Sequence, residues 1–258
     1  DLESIPSNIL SRSKILVLCY PNSPTGKTAT VEFYEKVVEF AKKNRIIVVQ
    51  DAAHMMLSYE TAPLSFLSIE GAKDVGVEVH SMSKGFHMIG WRLGWVCGPE
   101  KIVQAFADVK DNCDSGQFIA IQKAAAAALG DPHIPHQVRE KYRRRLEKLV
   151  GVLRSVGFQC EMPGGTYFLY TKSPKAAGDQ SFANASEAGQ FLIKELSIST
   201  VPWDDCGAFT RFSVTYEAHD ENAENDLDLD IDLESLNVES NLDNDFESSD
   251  KDLEKDLA

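Results

Sequence analysis

The spacing of apolar residues along this chain changes period several times, and each change marks an element. Residues 14–20, KILVLCY, form a short apolar run ending at turn formers, which predicts a buried parallel strand. A helix is predicted over 31–43, with Thr28 or Thr30 able to cap it and Asn44 closing it. IIVVQ at 46–50 predicts the next buried strand. Strand, helix and strand of this size form a right-handed parallel βαβ unit. VGVEV at 75–79 alternates as a half-buried strand does, and 93–97 forms another short apolar run, with a polar turn between them.

Helices are predicted over 99–111, opening at Pro99, over 116–129 with its run of five consecutive alanines, and over the amphipathic stretch 134–156. Beyond Gly157 the pattern turns α+β. Residues 158–162 and 166–171 are strand-like around Pro163-Gly164-Gly165, 187–195 is helical, and 198–203 and 209–216 are strands. The domain boundary is placed near 135–140, giving units of 1–137 and 138–218 and a tail of 219–258.

Charge changes this picture only at the end of the chain. The net charge of -14 argues against nucleic acid as a partner. Residues 219–258 carry 16 Asp and Glu against 2 Lys, whereas the rest balances at 24 of each sign. The acidity therefore belongs to a tail expected to be disordered, and it does not describe a substrate. The tail's DLDLDIDLE fails as a calcium loop, because Ile231 and Asn237 stand where glycine and glutamate are needed. Arg143 to Arg145 interleave with Glu140 and Glu147, which predicts a solvated, salt-bridged helix face rather than a nucleic-acid surface. No run of about 18 apolar residues suggests a membrane span. Five scattered cysteines without a C-x-x-C pair point to a reducing compartment and so to the cytoplasm.

The candidate chemistry gathers at the sheet edge where the predicted strands end. Ser81, Ser83 and Lys84 leave one strand, and Arg92 stands at the entry to the next. Open α/β sheets bind ligands at that edge. A lysine amine traps a carbonyl only when part of it is unprotonated, and hydroxyls with a guanidinium suit a phosphate. Lys84 and Arg92 are equally compatible with ordinary solvated charges. Asp51, just past the strand at 46–50, is either a cap for the following turn or a second functional group at the same edge.

Four segments carry a family resemblance: PNSPTG at 21–26, QDAAH at 50–54, S-x-S-K followed by G-x-R-x-G at 81–94, and RFSVTY at 211–216. Together they resemble the class I/II aminotransferases of fold type I, in order and spacing. Within that family, YPNSPTG, the S-x-S-K segment and the G-x-R-L-G-W run are most similar to the LL-diaminopimelate aminotransferases.

The resemblance implies an α/β large domain with a mostly parallel sheet and helices on both faces, followed by a smaller α+β domain. It implies pyridoxal 5'-phosphate on Lys84, with Asp51 on the ring nitrogen and the phosphate held by Ser81, Ser83 and Arg92. Arg211 resembles the arginine that grips the substrate α-carboxylate. Amino acid and 2-oxo acid substrates and a homodimer follow from the same resemblance.

Ser23 and His54 depart from the family pattern, standing where an asparagine and a tyrosine usually bond the cofactor's ring hydroxyl oxygen; the two replacements are expected to compensate. Other fold type I reactions, such as histidinol-phosphate transamination, decarboxylation or elimination, share these residues, and an inactive truncated homologue is a further alternative. The family's arm, phosphate loop and ring-stacking aromatic are not found before Ile15. The chain therefore reads as lacking an N-terminal portion, with exposed apolar strands, low stability and little activity alone.

Overall fold

A computed structural model describes residues 1–60, 62–114 and 116–216. The acidic segment at 219–258 lies outside the described residues. A one-turn helix α1 (Ser7–Leu10) precedes strand β1 (Ile15–Cys19), helix α2 (Val31–Asn44) and strand β2 (Ile47–Asp51). Strand β3 (Gly76–Ser81), the one-turn helix α3 (Met82–Gly85), strand β4 (Gly94–Cys97) and helices α4 (Glu100–Asp111) and α5 (Ile119–Leu129) follow. Helix α6 (His133–Ser155) leads to strands β5 (Phe168–Lys172), β6 (Ala176–Ala177) and β7 (Gln180–Ser181). Helix α7 (Ala185–Leu196) and strands β8 (Val201–Trp203) and β9 (Phe209–Ser213) complete the order.

Two compact units result, one of Asp1–Lys141 with Gly164–Thr166 and one of Tyr142–Pro163 with the described residues from Tyr167 onward. The division falls inside α6, after Lys141.

In the first unit the sheet runs β1-β2-β3-β4. The first three strands are parallel, in the register Cys19 beside Asp51 beside Val79. Strand β4 is antiparallel to β3, because the connection between them holds only a helical turn or two and a parallel return needs a longer crossover. Thr30 caps α2 by accepting a hydrogen bond from the Phe33 N–H at 3.1 Å, and Arg45 ends it in the left-handed region. The amphipathic face of α2 buries Tyr34, Val37, Val38 and Ala41 against Val48 and Phe66. Each such large apolar side chain contributes about 1.5–3 kcal/mol by burial. Side chains alternate faces along a strand, and on the opposite sheet face Ile15, Val17, Ile47 and Val79 remain exposed.

The second unit carries an antiparallel sheet of order β5-β9-β8, with α7 packed beside β8, and a small β6-β7 ribbon. Two expectations fail here. Residues 158–162 form no strand, and the turn at Pro163-Gly164-Gly165 closes no hairpin. Instead Gly165 bridges Ser58, Gly164 accepts from the Tyr59 N–H at 2.9 Å, and Thr166 donates to Leu57 at 3.1 Å. A side chain on Gly165 would lie 2.6 Å from Pro21, so this close approach requires glycine. Strand β5 consequently pairs with β9, and Tyr170 lies opposite Arg211.

The third difference is Arg145. It is buried, and its Nη1 donates to the carbonyls of Val214 at 3.0 Å and Tyr216 at 2.7 Å while the guanidinium lies 4.0 Å from the Tyr216 ring. Successive helical residues are turned by about 100°, so Arg145 stands about 200° around the helix from Arg143 and the two do not share a face. Arg143 faces water, paired with Glu147 at 2.6 Å. No helix among the described residues is long and apolar enough to cross a membrane.

Candidate active site

The carboxyl ends of β2 and β3 lie side by side and release the candidate residues from one edge. Asp51 is the last residue of β2; its Oδ1 accepts from the Ala53 N–H at 2.9 Å, and Ala52 donates to Val79 of the neighbouring strand at 2.9 Å. The chain then turns through His54 into a short 3-10 segment, Met55–Leu57. His54 is buried, and its pKa is pushed down to about 4, first by burial and then by the charge of Lys84. The imidazole is therefore neutral near pH 7.

Strand β3 ends at Ser81, which caps α3 by accepting from the Ser83 N–H at 3.1 Å. Met82 donates to the Leu93 carbonyl at 3.1 Å and is fully buried, so the turn is tied to the strand that follows. Ser83 is buried and Lys84 half-buried in the last turn of α3. Packing of α3 against the 55–57 segment is close: a side chain on Gly85 would lie 2.6 Å from Met56 Cβ.

Arg92 is placed differently from the two serines. It is exposed, in the left-handed region at φ 55, and its Nη1 donates to the Ile89 carbonyl at 3.1 Å. Among the described residues, the structure therefore does not bond its guanidinium to Ser81 or Ser83. Asn22 Oδ1 accepts from the Thr25 N–H at 3.2 Å and hydroxyl at 2.7 Å, which commits it to the turn. Ser23 beside it is half-buried, and its backbone lies against the Cys19 thiol, which burial pushes up in pKa.

In the second unit Arg211 lies on β9 with its guanidinium 4.1 Å from the Phe168 ring and 5.6 Å from the Trp203 ring. Its Nε is buried without a hydrogen-bond partner among the described residues. A buried donor in that state calls for an acceptor from outside.

Three residues near the turn were not singled out from the sequence: Glu78, His80 and Trp95. Glu78 Oε2 and His80 Nε2 share a hydrogen bond of 2.9 Å on the covered face of β3. Burial pushes the Glu78 carboxyl up, but the hydrogen bonds from His80, Ser65 and Leu67 outweigh it and hold the group below the usual carboxylate range. The signal was present in VGVEVHS, where two ionisable residues fall two apart in a strand whose other positions are apolar.

Asp51 and Lys84 stand at one edge of a mostly parallel sheet, with an α+β unit following, an arrangement shared with the fold type I aminotransferases this chain superposes on. The chain belongs to the aminotransferase class I and II family, whose sequence profile matches residues 1–227. An LL-diaminopimelate aminotransferase of Methanocaldococcus jannaschii is 57% identical over 222 residues, covering 86% of this chain and 53% of that protein. BacF from Bacillus subtilis superposes with a TM-score of 0.77 at 32% identity, covering 84% of this chain and 58% of that one. A double mutant of Thermus thermophilus aspartate aminotransferase superposes with a TM-score of 0.74 at 28% identity, covering 87% and 58%. The chain thus spans little more than half the length of the relatives it matches.

Proposed function

We propose that this protein transfers an amino group from an amino acid to a 2-oxo acid with pyridoxal 5'-phosphate, and that its amino donor is LL-diaminopimelate. The observation that carries the reading is the delivery of Asp51 and Lys84 from adjacent parallel strands, with neutral His54 in the turn after Asp51 and within electrostatic reach of the lysine. The donor name comes from the 57% identical relative.

The donor set fits the cofactor. Lys84 would hold its aldehyde carbon, Asp51 its ring nitrogen, Ser81, Ser83 and Arg92 its phosphate, and Ser23 and His54 its ring hydroxyl oxygen. A neutral His54 suits that role, since it can donate one N–H without adding a charge. When bound, the group supplies an electron-accepting ring to the carbon that bears the amino group. Lys84 Nζ, released from the aldehyde carbon when the substrate's amino group takes its place, would then move the proton at the carbon bearing that group, taking it as a base and returning it as an acid. Arg211 orients the substrate by forking onto its α-carboxylate, and the partnerless buried Nε supports this role.

A homodimer agrees with the exposed Phe106, Val109, Phe118 and Ile119 of the α4–α5 region. Five free cysteines suit the reducing cytoplasm.

The test is a titration of the purified protein with pyridoxal 5'-phosphate, followed by incubation with LL-diaminopimelate and 2-oxoglutarate. A visible absorbance change that is absent in Lys84→Ala is expected, with glutamate formation low because the chain spans about half the length of its relatives. Absence of any absorbance change in the wild type overturns the reading.

A further inference from the structure

We infer that Glu78 and His80, with Trp95 stacked on the histidine, are positioning residues that set where the Ser81–Lys84 turn leaves the sheet. This inference rests on the reading of Lys84 given under Proposed function.

Alternation along β3 sends Glu78 and His80 to the covered face and Val79 and Ser81 to the other. On the covered face, Glu78 Oε1 accepts from Ser65 Oγ at 2.9 Å and from the Leu67 N–H at 3.3 Å. Both bonds anchor it to the segment before β3. That leaves Oε2 aimed at His80 Nε2, 2.9 Å away. The His80 ring lies parallel to that of Trp95, its direct partner across the β3–β4 ladder, at 4.9 Å between centroids and 7° between planes. His80 is thus clamped from two directions, by a carboxylate that other groups already hold and by an indole on the next strand.

The backbone at the same point has equally little freedom. A side chain on Gly94, opposite Ser81, would lie 2.5 Å from the His80 carbonyl oxygen. One residue beyond His80 the chain becomes the cap of α3, and four residues beyond it stands Lys84. A small rotation of the strand end about its own axis would therefore displace the Lys84 amine.

A bonded pair with side chains only 3% and 11% exposed is a poor source of stability, because desolvating the Glu78 carboxylate opposes the gain from the bond. Apolar side chains would fill that face without the same penalty. What the pair supplies instead is direction, since hydrogen bonds fix angles that apolar packing leaves free. Cys97 lies opposite Glu78 in the ladder and its thiol is among the closest polar groups, but no hydrogen bond joins it to the pair among the described residues.

The experiment measures the affinity of the purified protein for pyridoxal 5'-phosphate by visible absorbance, with borohydride reduction and peptide mass to score attachment at Lys84. Circular dichroism establishes that each variant is folded. His80→Ala is expected to weaken binding about 10- to 100-fold, the loss that a displaced reacting group produces. His80→Gln, whose amide N–H can still reach Glu78, is expected to recover most of it. Cys97→Ser should bind as the wild type does.

Wild-type affinity in folded His80→Ala, or equal losses in the Gln and Ala variants, would overturn the inference. Should His80→Ala not fold, His80→Phe takes its place, keeping the stack but dropping the bond. Weaker binding by Phe than by Gln then supports the inference, and equal binding overturns it. A wild type that binds no cofactor overturns the functional reading and this inference with it, whereas tight wild-type binding with unaffected variants overturns this inference alone.

Discussion

Lys84 stands close enough to buried His54 for its charge to help hold the imidazole neutral. The two residues leave neighbouring strands, and the register that sets Asp51 beside Val79 is what brings their turns together. This proximity has a consequence in solution that does not depend on any ligand.

Stability should fall on mild acidification. Above pH 6.5 His54 is neutral in both folded and unfolded chains. Between 6.5 and about 4 the unfolded chain takes up a proton that the folded one refuses. Binding more protons when unfolded makes stability decline as pH drops through that window, by up to about 3 kcal/mol from this residue. Urea denaturation at several pH values should show a shallower decline for His54→Gln than for the wild type. Parallel curves would contradict the burial argument.

The role proposed for Asp51 toward the cofactor can be separated from its role in the turn. Asp51→Asn keeps an oxygen for the Ala53 N–H and removes the charge, so unfolding free energy should move by no more than about 0.5 kcal/mol. Transamination should nonetheless fall at least about 100-fold, the effect of losing a preorganised electrostatic partner. Asp51→Ala should add a stability loss of about 1 kcal/mol by orphaning that N–H. Turnover assays and chemical denaturation on the same samples separate the two.

Arg211→Lys tests the fork. Lysine keeps the charge but cannot present two coplanar donors or lie flat beside Phe168. A fall in kcat/KM of about 10- to 100-fold is expected, matching one charged hydrogen bond. The loss should appear chiefly in KM for the amino donor, and an unchanged KM would remove Arg211 from carboxylate binding.

Arg145→Ala should destabilise the protein by about 3 kcal/mol. It removes a buried cation whose Nη1 satisfies the Val214 and Tyr216 carbonyls and whose plane covers the Tyr216 ring. Arg143→Ala, one helical face away and paired with Glu147 at the surface, should cost less than about 1 kcal/mol. Comparing the two denaturation midpoints checks the contrast between buried and solvated arginines on one helix.

Sequence reading reached the βαβ unit, the helices and the placement of Asp51 and Lys84, because each depends on residues near one another in the chain. The apolar runs of β1 and β2 and the Thr30 cap are local signals, and parallel strands necessarily end at the same edge. Arg92 shows what such reasoning leaves out: its motif is plain in the sequence, but the bond from its Nη1 to the Ile89 carbonyl is not.

By itself, then, the order of residues determined the β1–α2–β2 unit, strand β3 and the long helices, and it placed Asp51 and Lys84 at strand ends. Tertiary structure decided the rest: the burial of Arg145 against carbonyls 69 and 71 positions away, the stitching of Gly164–Thr166 to Leu57–Tyr59, and the clamp around His80. Each of these joins groups brought together only by the packing of distant segments, and no periodicity records which carbonyl or ring a side chain will meet when the chain closes.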